Sequence, residues 1–225
     1  MDPRAVQSPD NPHLTLAPQY FGAPPRVARA VVILLHGRGQ SPADMEQQLV
    51  RPIDLPDVAY VAPAAADQTW YPAGFMAPRE QNEPRLTFAL ERLGALSDEL
   101  ADRGTPPSAQ VLIGFSQGGC LACEYVYRRQ QRVAALCAFT GGLIGPPGSA
   151  WTLETEAFLG MPVLLGGSSD DPWVPAARML ETAALFRRLG ARVEAPIYPG
   201  LAHVIADEQI ARARAILTEL IAARG

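Results

Sequence analysis

The chain has 225 residues, 48% of them hydrophobic, and a formal net charge of −4 at pH 7, which describes one ordinary globular domain over residues 1–225. Its 19 basic residues are all Arg and lie scattered, so neither a nucleic-acid partner nor a charged membrane surface is expected. No stretch has the length and apolarity of a signal peptide or a membrane span, and three cysteines cannot build a disulfide framework, so the expected address is cytoplasmic.

Residues 1–12, rich in Pro, Asp and Asn, read as a frayed lead-in. Residues 13–20 alternate well enough for an edge strand. The unbroken apolar run 30–35 predicts a strand buried on both faces, ending in the turn His36-Gly37-Arg38-Gly39. Ser41 and Pro42 then mark a helix start, as N-cap and first helical residue. A short buried strand is predicted at 58–61. Residues 63–84 form a long aromatic and Pro-containing excursion, of a length that is usually functional. A helix follows over 86–100 with Gly104 as its stop.

Val111-Leu112-Ile113 is the next buried strand, and it runs into Gly114-Phe115-Ser116-Gln117-Gly118 and a helix. Gly-x-Ser-x-Gly between a strand and a helix is the pattern of a nucleophile elbow, a turn so sharp that side chains at the glycine positions would collide with their neighbours. Further strands are predicted at 133–139 and 162–165, with a second irregular excursion at 143–160. A helix over 174–189, a last strand at 193–198 and a closing helix to about residue 223 complete the order. This alternation predicts an α/β fold with a mostly parallel sheet covered on both faces.

In such a sheet the functional groups collect beyond the carboxyl ends of the strands. A serine hydroxyl there needs a base to take its proton. Of three histidines, His13 lies in the N-terminal segment and His36 inside a glycine turn where its ring would hold the loop. His203, after the last strand, is the candidate base. Asp171 is the candidate partner for its imidazole, with Asp170 as immediate rival; Asp207 and Glu208 read as decoration of the final helix. The backbone N–H of Gln117 is one candidate oxyanion donor, and the 36–39 turn can bring a second close, with that of Arg38 as its candidate. The Arg38 side chain would either pair with a local carboxylate or reach an acidic substrate group. Cys120 and Cys123 form a C-x-x-C, but other metal ligands are too scattered. They read as small buried packing residues, with no metal and no cofactor expected.

Leu35-His36-Gly37-Arg38-Gly39, Gly114-Phe115-Ser116-Gln117-Gly118-Gly119, Asp171-Pro172-Trp173-Val174-Pro175 and Gly200-Leu201-Ala202-His203 together resemble the carboxylesterase/phospholipase branch of the α/β-hydrolases, which includes acyl-protein thioesterases. The resemblance implies Ser116, Asp171 and His203 as a catalytic triad, with Asp171 chosen over Asp170. It also implies Arg38 and Gln117 as oxyanion residues, an α/β-hydrolase fold without a large lid domain, and an often dimeric small esterase. Trp70, Phe75, Met76, Leu143, Ile144, Trp151 and Trp173 fall in loops at the active edge and are the candidate substrate-binding residues. The leading expectation is a carboxylesterase for short to medium acyl chains. A lysophospholipase or acyl-thioesterase is the second, and a non-catalytic small-molecule binder on the same fold is the third.

Overall fold

The computed structural model describes residues 8–152 and 156–223. Its centre is a sheet of eight strands: β1 (Gln19–Gly22), β2 (Ala30–Leu35), β3 (Val58–Ala62), β4 (Gln110–Phe115), β5 (Ala135–Phe139), β6 (Pro162–Ser168), β7 (Arg192–Glu194) and β8 (Ile197–Tyr198). The spatial order is β1-β3-β2-β4-β5-β6-β7, with β8 beside β6. β1 is antiparallel to β3, and every other pair is parallel.

Parallel strands are covered on both faces, and the alternation of side chains along β2 shows how. Val31, Ile33 and Leu35 belong to one core, packed with α3 (Arg85–Asp102), α4 (Gln117–Arg129) and α5 (Ala176–Arg188). Ala30, Val32 and Leu34 belong to the other. That second core is closed by α6 (Asp207–Ala222) and by the helical segment α1 (Pro42–Met45), a π-turn (Glu46–Val50) and α2 (Arg51–Ile53). Ser41 caps α1, accepting from the Asp44 N–H while the Asp44 carboxylate accepts from the Ser41 N–H. None of the described helices is long and apolar enough to cross a membrane.

Three predictions about chain ends are corrected. The expected strand at 13–20 is a 3-10 turn, Pro12–Thr15, followed by the edge strand at Gln19–Gly22. The turn forms because Asn11 caps it and His13 is drawn inside rather than left on an alternating face. Residues 8–12 are likewise tied down. Ser8 and Asn11 hydrogen-bond Glu91, and the Asn11 amide also donates to Phe88 O at 2.8 Å; the remainder of the predicted lead-in, 1–7, lies outside the described residues. The expected last strand is split in two, because Pro196 cannot donate to a ladder.

β2 and β4 are adjacent, so the turn after β2 lies against the elbow after β4. A Cβ on Gly118 would stand 2.3 Å from Leu35 O and 2.6 Å from His36 O, and one on Gly114 would stand 2.3 Å from Gly118 O. Both contacts are with backbone, which has nowhere to go. Gly104 differs: its φ is +94° but nothing lies within 4 Å of the added carbon. In thermal or urea unfolding, Gly118→Ala should cost about 3 kcal/mol or more by overpacking. Gly104→Ala should cost about 1 kcal/mol for backbone strain alone.

Candidate active site

Ser116 joins β4 to α4 with φ 53° and ψ −118°, a conformation that L residues rarely adopt. Its N–H donates to Phe139 O at 2.8 Å and its carbonyl accepts from Cys120 N at 2.9 Å. The peptide is therefore clamped on both sides, and the side chain is lifted off the end of the sheet.

The His203 ring closes on it from the turn before α6. Nε2 lies 2.8 Å from Ser116 Oγ and Nδ1 lies 2.6 Å from Asp171 Oδ2. Because a carboxylate only accepts, Nδ1 carries the proton and Nε2 is left to accept from the serine hydroxyl. The other oxygen of Asp171 accepts from Trp173 N (2.8 Å) and Val174 N (3.0 Å). Burial pushes the Asp171 carboxyl up, but the hydrogen bonds from Val174, His203 and Trp173 outweigh it and hold the group below its ordinary value. Asp170 faces elsewhere, accepting from Gly200 N and Ser169 Oγ on the exposed side of the loop.

The other two histidines are consumed by structure. His36 donates from Nδ1 to Gly37 O and accepts at Nε2 from Ala65 N. His13 accepts at Nδ1 from Ala66 N, leaving Nε2 to donate to Trp70 O. Burial lowers both rings, that of His13 to about 4, so both stay neutral and engaged.

The amides of Gln117 and Arg38 have no hydrogen-bond acceptor among the described residues. Gln117 is the first residue of α4, where N–H groups have no intrahelical partner and the helix dipole favours negative charge. The Arg38 side chain lines the pocket and, instead of the expected local carboxylate, meets the carbonyls of Tyr71, Pro72 and Ala73, to which it donates.

A pocket of about 430 Å³ opens over Ser116, walled by Pro72, Ala73, Gly74, Phe75, Trp173 and Val174, with Cys120 in its lining. Of the predicted substrate-binding residues, Phe75 and Trp173 line it, and Trp173 is 71% exposed at its mouth. Trp70 and Leu143 are fully buried elsewhere. The Trp70 indole lies between His13 and His36 and donates to His36 O. Met76, Ile144 and Trp151 pack into the core behind the pocket, Trp151 beneath the Arg178 guanidinium. These side chains turn inward because the loops around the pocket pack onto the same core as β2 and α3 to α5.

Sequence reasoning missed the groups that brace those loops. Buried Arg178 donates to the carbonyls of Leu143, Gly145 and Pro146. Glu124, 1% exposed on α4, accepts from Ile144 N at 3.2 Å and pairs with Arg79 and Arg128. The available signal was a lone carboxylate within the apolar stretch 120–126.

A family model described as Phospholipase/Carboxylesterase matches residues 22–221. A probable carboxylesterase of Oryza sativa subsp. japonica is 26% identical over 196 residues, 80% of this chain and 83% of the relative. Acyl-protein thioesterase 1 of Gibberella zeae is 31% identical over 151 residues, 62% of this chain and 60% of the relative. Among solved structures, a phospholipase/carboxylesterase from Dyadobacter fermentans superposes with a TM-score of 0.82 at 34% identity, covering 90% of this chain and 96% of that one.

Burial pushes the Glu124 carboxyl up to about 7, against the Ile144 N–H and the Arg79 charge. The folded chain therefore holds that proton more tightly than the unfolded chain does. The associated stability is full below about pH 4.5 and is lost as pH rises through about 7. In thermal melts between pH 5 and pH 8, Glu124→Gln should gain melting temperature relative to the parent as pH rises through about 7, the two neutral histidines contributing the same opposite slope to both proteins.

Proposed function

The chain belongs to the phospholipase/carboxylesterase family, and on that premise we propose that Ser116, His203 and Asp171 are the nucleophile, base and orienting acid of its reaction. The enzyme is a serine hydrolase of the α/β-hydrolase fold that acts on carboxylic esters. The observation that carries the residue assignment is the unbroken hydrogen-bond chain from Asp171 through His203 to Ser116.

In the first half-reaction Ser116 Oγ attacks the ester carbonyl carbon while His203 Nε2 takes the hydroxyl proton. The carbonyl oxygen becomes an oxyanion, which the N–H groups of Gln117 and Arg38 meet. The tetrahedral intermediate collapses by breaking the bond to the alcohol oxygen, which leaves with the proton held by His203. In the second half-reaction a water gives its proton to the same nitrogen and attacks the acyl-serine. Collapse then releases the acid and returns the proton to Ser116. Throughout, Asp171 holds the ring in one tautomer and stabilises the imidazolium that forms twice per turnover.

Among the described residues the pocket's lining is compact, with Phe75, Trp173 and Val174 as its larger apolar side chains. That supports short to medium acyl chains as substrate. The three cysteines are unpaired and buried, which supports a reducing, cytoplasmic setting.

Ser116→Ala should abolish turnover of p-nitrophenyl acetate together with labelling by a fluorophosphonate; hydrolysis at the parent rate would end the assignment. Asp171→Asn should lower kcat by about 10⁴-fold through the wrong tautomer, while Asp170→Asn should leave it within about threefold, as for a group outside the proton path. Across a series of p-nitrophenyl esters, rates should be highest on short and medium chains and fall steeply at palmitate. A maximum at palmitate would favour a long-chain thioesterase or lysophospholipase.

A further inference from the structure

The two residues whose amides are the candidate oxyanion donors also send their side chains to one and the same loop. From Arg38, Nη1 donates to Pro72 O at 2.7 Å, and Nη2 donates to Tyr71 O at 2.9 Å and Ala73 O at 2.7 Å. From Gln117, the carboxamide oxygen accepts from Trp70 N at 2.9 Å, and Nε2 donates to Tyr71 O at 2.8 Å and Thr69 Oγ1 at 3.2 Å. The loop 69–73 is thus gripped from both sides by the frame of the oxyanion site, and it continues directly into the pocket wall at Gly74 and Phe75.

Neither grip is a by-product of charge pairing. Arg38 forms no ion pair among the described residues, and a guanidinium spread over three carbonyls uses its planar fork rather than its charge alone. The loop has further anchors besides Arg38 and Gln117. Trp70 is anchored independently through its indole to His36 O, and Asn82 bonds both Ala73 N and Gly74 O. The Arg38 peptide is held on its carbonyl side, where Gly37 O accepts from His36 Nδ1 at 2.8 Å and from Gln40 N at 3.2 Å. It lies between Gly37 and Gly39, its own N–H is unpaired, and the neighbouring contacts are Gly37 N to the Gln40 side chain and Gly39 N to Gln68 O. A peptide between two glycines has wide backbone freedom. Its side chain, fixed at three points on residues 71–73, limits that freedom further and ties the turn to the loop.

The geometry points to the side chains of Arg38 and Gln117 as positioning residues, which lock the 69–73 loop to the turn and the elbow and so hold both oxyanion donors at the spacing the transition state needs. This rests on the reading of Ser116 as nucleophile and extends it. Donors aimed at an oxyanion act only when they stand close to 3 Å from where it forms, and small misplacements are costly. Loosening the clamp therefore raises the barrier while leaving binding of the neutral ester almost unchanged.

The test uses Arg38→Met, which keeps length and loses the donors, and Arg38→Lys, which keeps the charge and loses the fork. Four quantities are read: kcat and KM on a short p-nitrophenyl ester, inhibition by a trifluoromethyl ketone that forms a serine hemiketal, hydrogen exchange of the 69–75 peptide, and the melting temperature. In Arg38→Met, kcat should fall by about 10- to 100-fold and the ketone should weaken in proportion. KM should stay within about threefold, as expected when only transition-state contacts are lost. Exchange over 69–75 should quicken while the melting temperature stays near that of the parent. Arg38→Lys should recover only a minor part of kcat. If Arg38→Met does not fold, Arg38→Lys and Gln117→Met carry the same readings.

Full recovery in Arg38→Lys would mean that charge alone suffices, and would overturn the clamp. Unchanged exchange over 69–75, or faster exchange with unchanged kcat, would overturn it too. An active Ser116→Ala would instead remove the nucleophile assignment and leave the exchange result standing, so the two failures are told apart.

Discussion

The arrangement depends on one close approach, in which the backbone of the elbow helix rests on the end of β2 at Gly118 with no room for a side chain. That contact makes the turn at Ser116 tight enough to force its backbone to φ 53°. The strain is of order 1–3 kcal/mol, and the sheet offsets it, since β4 lies between β2 and β5 with all six of its residues buried. The serine is consequently presented by rigid neighbours, and its hydroxyl can be met by groups arriving from other strands.

Those groups arrive on less rigid supports, and each is held by a hydrogen bond that leaves its reactive atom free. Asp171 spends one oxygen on the Trp173 and Val174 amides and keeps the other for the imidazole. His203 packs against Phe115 at 5.2 Å between ring centroids, on the residue preceding the nucleophile. Orientation is thus supplied by neutral backbone donors and ring packing, which do not compete for the proton being moved.

The loops around the pocket are organised differently from the core beneath. Their carbonyls are gathered by guanidinium groups: Arg38 takes three from residues 71–73, Arg178 takes three from 143–146, and Arg85 takes Ala66 and Thr69. A long loop packed against a sheet end carries backbone acceptors that no strand satisfies. A planar cation with five donors satisfies several at once. The arginine-only basic composition therefore serves this chain structurally, whatever its origin.

Sequence alone determined the buried central strands, the elbow and the order of Ser116, Asp171 and His203, because these follow from local rules. Apolar runs of six make buried strands, glycines at fixed spacing permit one sharp turn, and strand ends collect at one edge. It also placed Arg38 in the glycine turn after β2 but held no trace of the three carbonyls its side chain meets. Tertiary structure decided whatever depended on contacts between distant segments. It drew His13 inside to Trp70, turned Trp70, Leu143 and Trp151 away from the pocket, and sent Arg38 to carbonyls instead of a carboxylate. It also buried Glu124 against a backbone amide twenty residues on. None of these leaves a periodic trace in the chain, since a side chain's partner across a loop is set by where two excursions meet in space. The sequence specifies the edge on which chemistry happens, and only packing specifies which atoms are left free to do it.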